Sequence, residues 1–214
     1  MRRGTAAALL IGLLALAGCG GSARTHTLNE RVLTVGDSNV FNSTNAIHEE
    51  LTEAGFEPIV HGYPGFGLSD FDRYWNVVLR ELLEEDPAIV VVALGTNDTV
   101  LASQLEQVPG RIDQMMDRIG DREVIWITVA NVRPGGVTPT AGAEVNKDLL
   151  SAAARWKNLS LLDWAAVIES DPSVLAPDRL HWSPMGRQRY AEMIRDAVVQ
   201  VFDRCGRAVD AGCA

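Results

Sequence analysis

Val32-Leu33-Thr34-Val35-Gly36-Asp37-Ser38-Asn39 is the stretch on which the fold turns. A short apolar run empties through a glycine into polar residues, the pattern of a strand that ends at the edge of a sheet. The pattern recurs at Ile89-Val90-Val91-Val92-Ala93-Leu94, which delivers Gly95-Thr96-Asn97-Asp98. Neither run alternates polar with apolar, as expected of parallel strands covered on both faces.

Outward from these two runs, strands and helical patterns take turns. Val32–Val35 reads as the first strand, followed by a helix from about Ser43 to Ala54 that stops at Gly55. Pro58–His61 reads as a second strand, Asp70–Glu85 as a helix with Trp75, Val78, Leu79 and Leu82 on one face, and Ala88–Leu94 as a third strand. Ser103–Ile119 is helical, Val124–Val129 a fourth strand, Ala143–Trp156 helical and Leu159–Leu162 a fifth strand. In the last helix Tyr190, Ala191, Ile194, Ala197, Val198 and Val201 recur at helical spacing. Such alternation predicts an α/β protein, a three-layer α/β/α sandwich around a parallel sheet of about five strands with right-handed crossovers.

The ends of the chain read differently. Arg2 and Arg3 precede an apolar run from Ala6 to Ala17, and Leu16-Ala17-Gly18-Cys19 places small residues before a cysteine. This reads as a secretory leader, too short for a comfortable membrane span, with an uncleaved anchor as the alternative. The tetrapeptide resembles the bacterial lipobox, which implies a diacylglyceryl anchor on Cys19. The expected organisation is a signal peptide over residues 1–18, a polar tether over 19–29, one domain over 30–204 and a tail over 205–214. The expected location is extracytoplasmic, lipid-anchored or secreted. The membrane is met only through that anchor. Cys205 and Cys213, the two cysteines left, flank a short polar tail and could pair in an oxidising compartment. The formal charge of −9 makes the chain a poor partner for a phosphate backbone, so no nucleic acid is expected. A monomer is expected.

Four polar groups carry the chemistry. Ser38 stands just past the first strand, where its hydroxyl either lies at the sheet edge or caps a helix. Asn97 follows the third strand, where its amide either donates to a developing oxyanion or forms an Asx turn. Asp98 reads as a brace for that loop. Asp178 and His181 are three residues apart in a loop, so the aspartate can reach Nδ1–H of the ring and leave Nε2 to take a serine proton. Of the other histidines, His26 lies in the tether and His48 on a helix, while His61 ends a strand and is the competing base. The loop Arg133–Pro139 leaves the fourth strand on the same edge and either lines a site or faces solvent.

In this order and at these strand ends, the pieces resemble the SGNH hydrolases, the GDSL-type esterases. Gly36-Asp37-Ser38 matches that family's first block, Gly95-Thr96-Asn97-Asp98 its third and Asp178-Arg179-Leu180-His181 its fifth. The second block, a single glycine, falls on Gly65 of Tyr63-Pro64-Gly65-Phe66-Gly67, with Gly67 as the alternative. The resemblance implies a flavodoxin-like sheet, Ser38 as nucleophile, His181 as base and Asp178 as its orienter. It also implies an oxyanion hole of the Ser38 and Gly65 backbone N–H groups and the Asn97 side chain. Asn39 stands where the family motif carries leucine. Val129–Pro134, Val145-Asn146, Leu161–Trp164 and His181–Pro184 further resemble the SGNH domains of cell-wall O-acetyltransferases.

Three functions stay open on these residues. The chain is a serine esterase for short acyl, O-acetyl, esters; or an O-acetyltransferase acting on glycans; or a non-catalytic glycan-binding lipoprotein. Its partner is accordingly a small acyl ester or an acetylated glycan. No cofactor or metal is expected. His48-Glu49-Glu50-Leu51-Thr52 lacks the second histidine of H-E-x-x-H, and Gly62, Gly65 and Gly67 are wrongly spaced for G-x-G-x-x-G.

Overall fold

The computed structural model describes residues 29–210, with side chains to residue 205. The expected leader, lipid site at Cys19 and tether up to residue 28, and Cys213, lie outside the described residues. The expected Cys205–Cys213 pair therefore has only one half in view, and that half is buried in the core.

The five apolar runs are five strands: β1 (Arg31–Gly36), β2 (Glu57–Gly62), β3 (Ile89–Ala93), β4 (Glu123–Ile127) and β5 (Leu159–Leu162). All pair in parallel, in the order β2-β1-β3-β4-β5. Gly36 is level with Gly62 on one side and Ala93 on the other. The strand order reverses between β1 and β3, and the crevice outside the carboxyl ends of such strands is where open α/β sheets bind ligands. β2 is an edge strand and is only partly covered, whereas β3 and β4 are buried throughout.

Among the described residues seven α-helices flank the sheet: α1 (Ser38–Glu53), α2 (Asn76–Leu83), α3 (Ala102–Leu105), α4 (Val108–Ile119), α5 (Ala141–Arg155), α6 (Trp164–Ser170) and α7 (Pro184–Asp210). Successive strand residues point to opposite faces, which divides the core in two. Val32, Val91 and Ile125 pack on Val40, Ile47 and Leu51 of α1 and on Ile194, Val198 and Val201 of α7. Leu33, Val90, Val92 and Trp126 pack on Leu79 of α2, Ile112 and Met116 of α4 and Leu149 of α5. This is the expected three-layer sandwich. No helix among the described residues is long and apolar enough to cross a membrane.

Four local expectations change. The first helix begins at Ser38 rather than Ser43, because the Asp37 side chain accepts the Asn39 N–H and caps it there. The helix expected over Asp70–Glu85 opens with a 3₁₀ turn (Leu68–Asp70) and a π turn (Phe71–Trp75) before α2 begins. The Trp75 indole donates to the Gly67 carbonyl at 2.9 Å, and the extra residue of the π turn goes with that inward ring. Ser103–Ile119 divides into α3 and α4, with Pro109 in the first turn of α4. The run after β5 holds a further helix, α6, whose cap is Asp163.

Gly36 owes its place to crowding. A Cβ there would lie 2.3 Å from Val40 Cγ2 and 2.9 Å from the Ala93 carbonyl oxygen. Only glycine lets β1 end this close to β3 and to the first turn of α1.

Candidate active site

Ser38 is the first residue of α1, at the carboxyl end of β1. The first N–H groups of a helix have no partner within it. Asp37 takes that of Asn39 (2.9 Å), and the Ser38 N–H stands at the helix terminus, where the helix dipole favours negative charge.

The opposing loop is a short hairpin. Leu175 and Trp182 form an antiparallel bridge, the Ala176 N–H donates to the His181 carbonyl (2.8 Å) and the Arg179 N–H to the Ala176 carbonyl (2.8 Å). Within it, Asp178 Oδ1 accepts the backbone N–H groups of Leu180 and His181, each at 3.0 Å. Its Oδ2 lies 2.7 Å from His181 Nδ1. The bond to the His181 ring, followed by the two backbone bonds, holds the Asp178 carboxyl down at about 2. An ionised carboxylate cannot donate, so Nδ1 carries the ring proton. Nε2 is left as an acceptor, and Ser38 Oγ is 3.0 Å from it. Ser38 and His181, 143 residues apart in sequence, thus meet as expected.

Asn97 lies in the 3₁₀ turn Asn97–Thr99 after β3. One amide hydrogen is donated to the Phe66 carbonyl at 2.9 Å, which leaves the second hydrogen of Nδ2 for another acceptor. Asp98 is fully buried and accepts the Leu68 and Ser69 N–H groups, both at 2.7 Å, so it braces the loop as expected. Tyr63-Pro64-Gly65-Phe66 is a turn closed by Phe66 N–H to the Tyr63 carbonyl (3.3 Å), with Gly65 at φ +80°. Proline second and a left-handed glycine third are the marks of a type II turn. Of the two glycines the sequence left open, Gly67 spends its N–H on Asp70 Oδ2 at 2.7 Å. His61, the competing base, is engaged elsewhere: its Nε2 pairs with the Tyr74 hydroxyl at 2.7 Å, and burial pushes the ring below its ordinary value.

The loop after β4 lies against the site. The Val137 N–H donates to the Thr99 carbonyl at 2.7 Å. Asn146 staples the start of the loop, accepting the Val129 N–H and donating to the Val129 carbonyl and Asn131 Oδ1 at 2.7–2.9 Å. Arg133, on the same loop, is partly buried; burial lowers its pKa and the Asp37 charge opposes that effect. Two features escaped sequence reading. Asn39 Nδ2 donates to the Leu180 carbonyl at 3.4 Å, across 141 residues, and Asp37 is 2 % exposed. Only the departure from leucine at position 39 marked the first.

Burial raises the Asp37 carboxyl from its ordinary 3.8 to about 6, against the lowering effect of the Asn39 N–H. An acid that binds its proton more tightly in the native state stabilises the fold fully below its unfolded value and loses that contribution as pH rises through its folded value. Asp37→Asn keeps a capping side chain and removes the titration. Urea unfolding at pH 4 and pH 7 is expected to show the natural protein losing up to about 3 kcal/mol relative to the variant across that interval. Equal pH slopes would mean that folding does not raise the Asp37 carboxyl.

A profile of the GDSL-like lipase/acylhydrolase family matches residues 33–189. The peptidoglycan O-acetyltransferase OatA of Listeria monocytogenes is 25 % identical over 173 residues, which is 81 % of this chain and 25 % of that protein. The chain therefore spans about a quarter of the length of the curated relative it matches. Among solved structures, a lipase/acylhydrolase from Enterococcus faecalis superposes with a TM-score of 0.68 at 22 % identity, covering 82 % of this chain and 97 % of the other. The C-terminal catalytic domain of OatA from Streptococcus pneumoniae superposes with a TM-score of 0.64 at 15 % identity, covering 85 % and 97 %. With a family match across most of its length and the fold to go with it, this chain belongs to the GDSL-like lipase/acylhydrolase family and is an enzyme of the SGNH hydrolase class.

Proposed function

We propose that the chain is an exported serine esterase that cleaves short acyl esters, O-acetyl esters first among them, with Ser38 as nucleophile. The observation that carries this reading is the continuous relay from Asp178 Oδ2 through His181 to Ser38 Oγ, at 2.7 Å and 3.0 Å. His181 Nε2 takes the Ser38 proton as Oγ attacks the ester carbonyl. The charge moves to the carbonyl oxygen, which the Ser38 N–H, the Gly65 N–H and the second Asn97 amide hydrogen stabilise. Gly65 is preferred over Gly67 because the Gly67 N–H is committed to Asp70. Collapse of this intermediate breaks the C–O bond to the alcohol, which leaves with the proton from Nε2. Water then repeats the sequence on the acyl-serine and releases the carboxylic acid. Asp178 holds the tautomer and balances the imidazolium, a role suited to a carboxyl held at about 2.

A second reading has a specific observation in its favour, the two O-acetyltransferase relatives. In it a sugar hydroxyl replaces water in the last step. The leader and lipid site over residues 1–19, proposed from sequence, would place either activity outside the cytoplasm. The test is an acetyl-ester assay with and without a glycan acceptor, following free acetate and acetylated glycan together. An esterase releases acetate at the same rate with or without acceptor. Acetyl moved onto the glycan would replace hydrolysis by transfer, and no turnover of any acyl ester would remove both.

A further inference from the structure

Behind the nucleophile, on the α1/α7 side of the sheet, lies a small cavity of about 10 Å3 bordered by Asp37, Asn39, Thr128, Trp164, Trp182 and Tyr190. Its polar walls are deeply buried: Asn39 is 3 % exposed, Trp164 0 % and Trp182 6 %. Three of their atoms, Asn39 Oδ1, Trp164 Nε1 and Trp182 Nε1, have no protein partner. The Asp37 carboxylate accepts the Asn39 N–H, is also bonded by the Thr96 side chain, and still has lone pairs to spare. Two indole donors and two oxygen acceptors are the complement of one water molecule, and the space is of the size that holds one. Trp182 is the neighbour of His181, and Asn39 the neighbour of Ser38. Asn39 also reaches the hairpin directly through Nδ2 to the Leu180 carbonyl, at 3.4 Å.

We propose that Asn39 is a positioning residue which, through its bond to Leu180 and one buried water shared with Trp182, Trp164 and Asp37, holds the His181 hairpin at its working distance from Ser38. This rests on the proposed roles of Ser38 and His181. Two chain segments must meet within a hydrogen-bond length for the proton to pass, and small misplacements are costly. Leucine, the residue that the family name carries here, can neither donate to the Leu180 carbonyl nor accept from the water. In this chain, two indoles whose N–H groups lack a protein partner line the same cavity as residue 39, and an amide suits that lining better than an apolar side chain.

The test uses Asn39→Leu, Asn39→Asp, Trp182→Phe and the double variant Asn39→Leu/Trp182→Phe, assayed on a small chromogenic acetyl ester. Asn39→Leu is expected to lower kcat on the order of tenfold while KM stays within about twofold, because the misplaced group is the base and not a binding contact. Asn39→Asp keeps the oxygen acceptor and is expected to restore part of kcat. The double variant is expected to lose less than the product of the single losses, since both remove the same bridge. A crystal structure of the natural protein is expected to show one ordered water with three or four of these contacts. Unchanged kcat in Asn39→Leu at a lowered melting temperature, strictly multiplicative losses, or a dry cavity would each overturn the inference. Ser38→Ala is the control that separates the two levels. If it is inactive while Asn39→Leu is unaffected, this inference alone fails; if Ser38→Ala turns over normally, the proposed reaction fails first.

Discussion

Ser38→Ala is expected to lower turnover of a short acyl ester by roughly 10⁴-fold or more while leaving the fold and its melting behaviour in place. Removing the hydroxyl removes the proposed nucleophile and leaves His181 with nothing to deprotonate but water. Members of such a relay act as one unit, so the loss of one costs nearly as much as the loss of all. The substitution is a mild one structurally. Ser38 is the first residue of α1, its cap is the Asp37 side chain bonded to Asn39, and alanine is at home in a helix. Circular dichroism and a thermal melt check the fold, and initial rates on an acetyl ester check the chemistry. Turnover retained within tenfold would take Ser38 out of the mechanism.

Asn97→Ala is expected to lower kcat by about a hundredfold or more, with a smaller change in KM. Two effects add. In the proposed mechanism the variant loses an amide donor to the oxyanion, and donation there strengthens only as charge develops. It also loses the 2.9 Å bond to the Phe66 carbonyl, the neighbour of Gly65, so the proposed second donor is released with the first. Asp98 still grips Leu68 and Ser69 at 2.7 Å, which keeps the rest of the loop in place and confines the damage to the hole. Steady-state kinetics on one ester, natural protein against variant, decide the matter. A loss within threefold would mean that Asn97 only shapes the loop.

The parallel strands were legible because their composition leaves little ambiguity. Ile89–Ala93 and Glu123–Ile127 are buried along their whole length, and a short apolar run without alternation is what a strand covered on both faces requires. The start of α1 was not legible for a related reason. Its first two turns bury Asn39 and Ser43, polar residues at 3 % and 1 % exposure, which hid the apolar period on which a helix is recognised. Helix α6 was lost in the apolar run that joins it to β5, where only the Asp163 cap marked the boundary. The π turn at Phe71–Trp75 goes with a tertiary bond, Trp75 to the Gly67 carbonyl, which no local pattern reveals.

The candidate site could be located from its motifs, which stand at the ends of β1 and β3 and in the hairpin before α7. Which glycine could serve the oxyanion was not, because the choice depends on Asp70 taking the Gly67 N–H. In the sequence Asp37 is only part of the Gly36-Asp37-Ser38 block, and its burial beside the cavity is a property of packing between α1, α6 and α7. The role of Asn39 lies between the nucleophile turn and the histidine hairpin, segments that sequence order keeps far apart and only the folded sheet edge brings together.

The proposed chemistry requires that the Ser38 hydroxyl be activated by His181 and become acylated. Treatment of the natural protein and of Ser38→Ala with a small sulfonyl fluoride, followed by mass spectrometry of the tryptic peptide from Val32 to Arg73, tests this directly. A single sulfonyl adduct on Ser38 is expected in the natural protein, formed with loss of activity, and none on that peptide in the variant. Full inactivation with the adduct on any other residue, or an unmodified Ser38 in inactivated protein, would refute the role of Ser38.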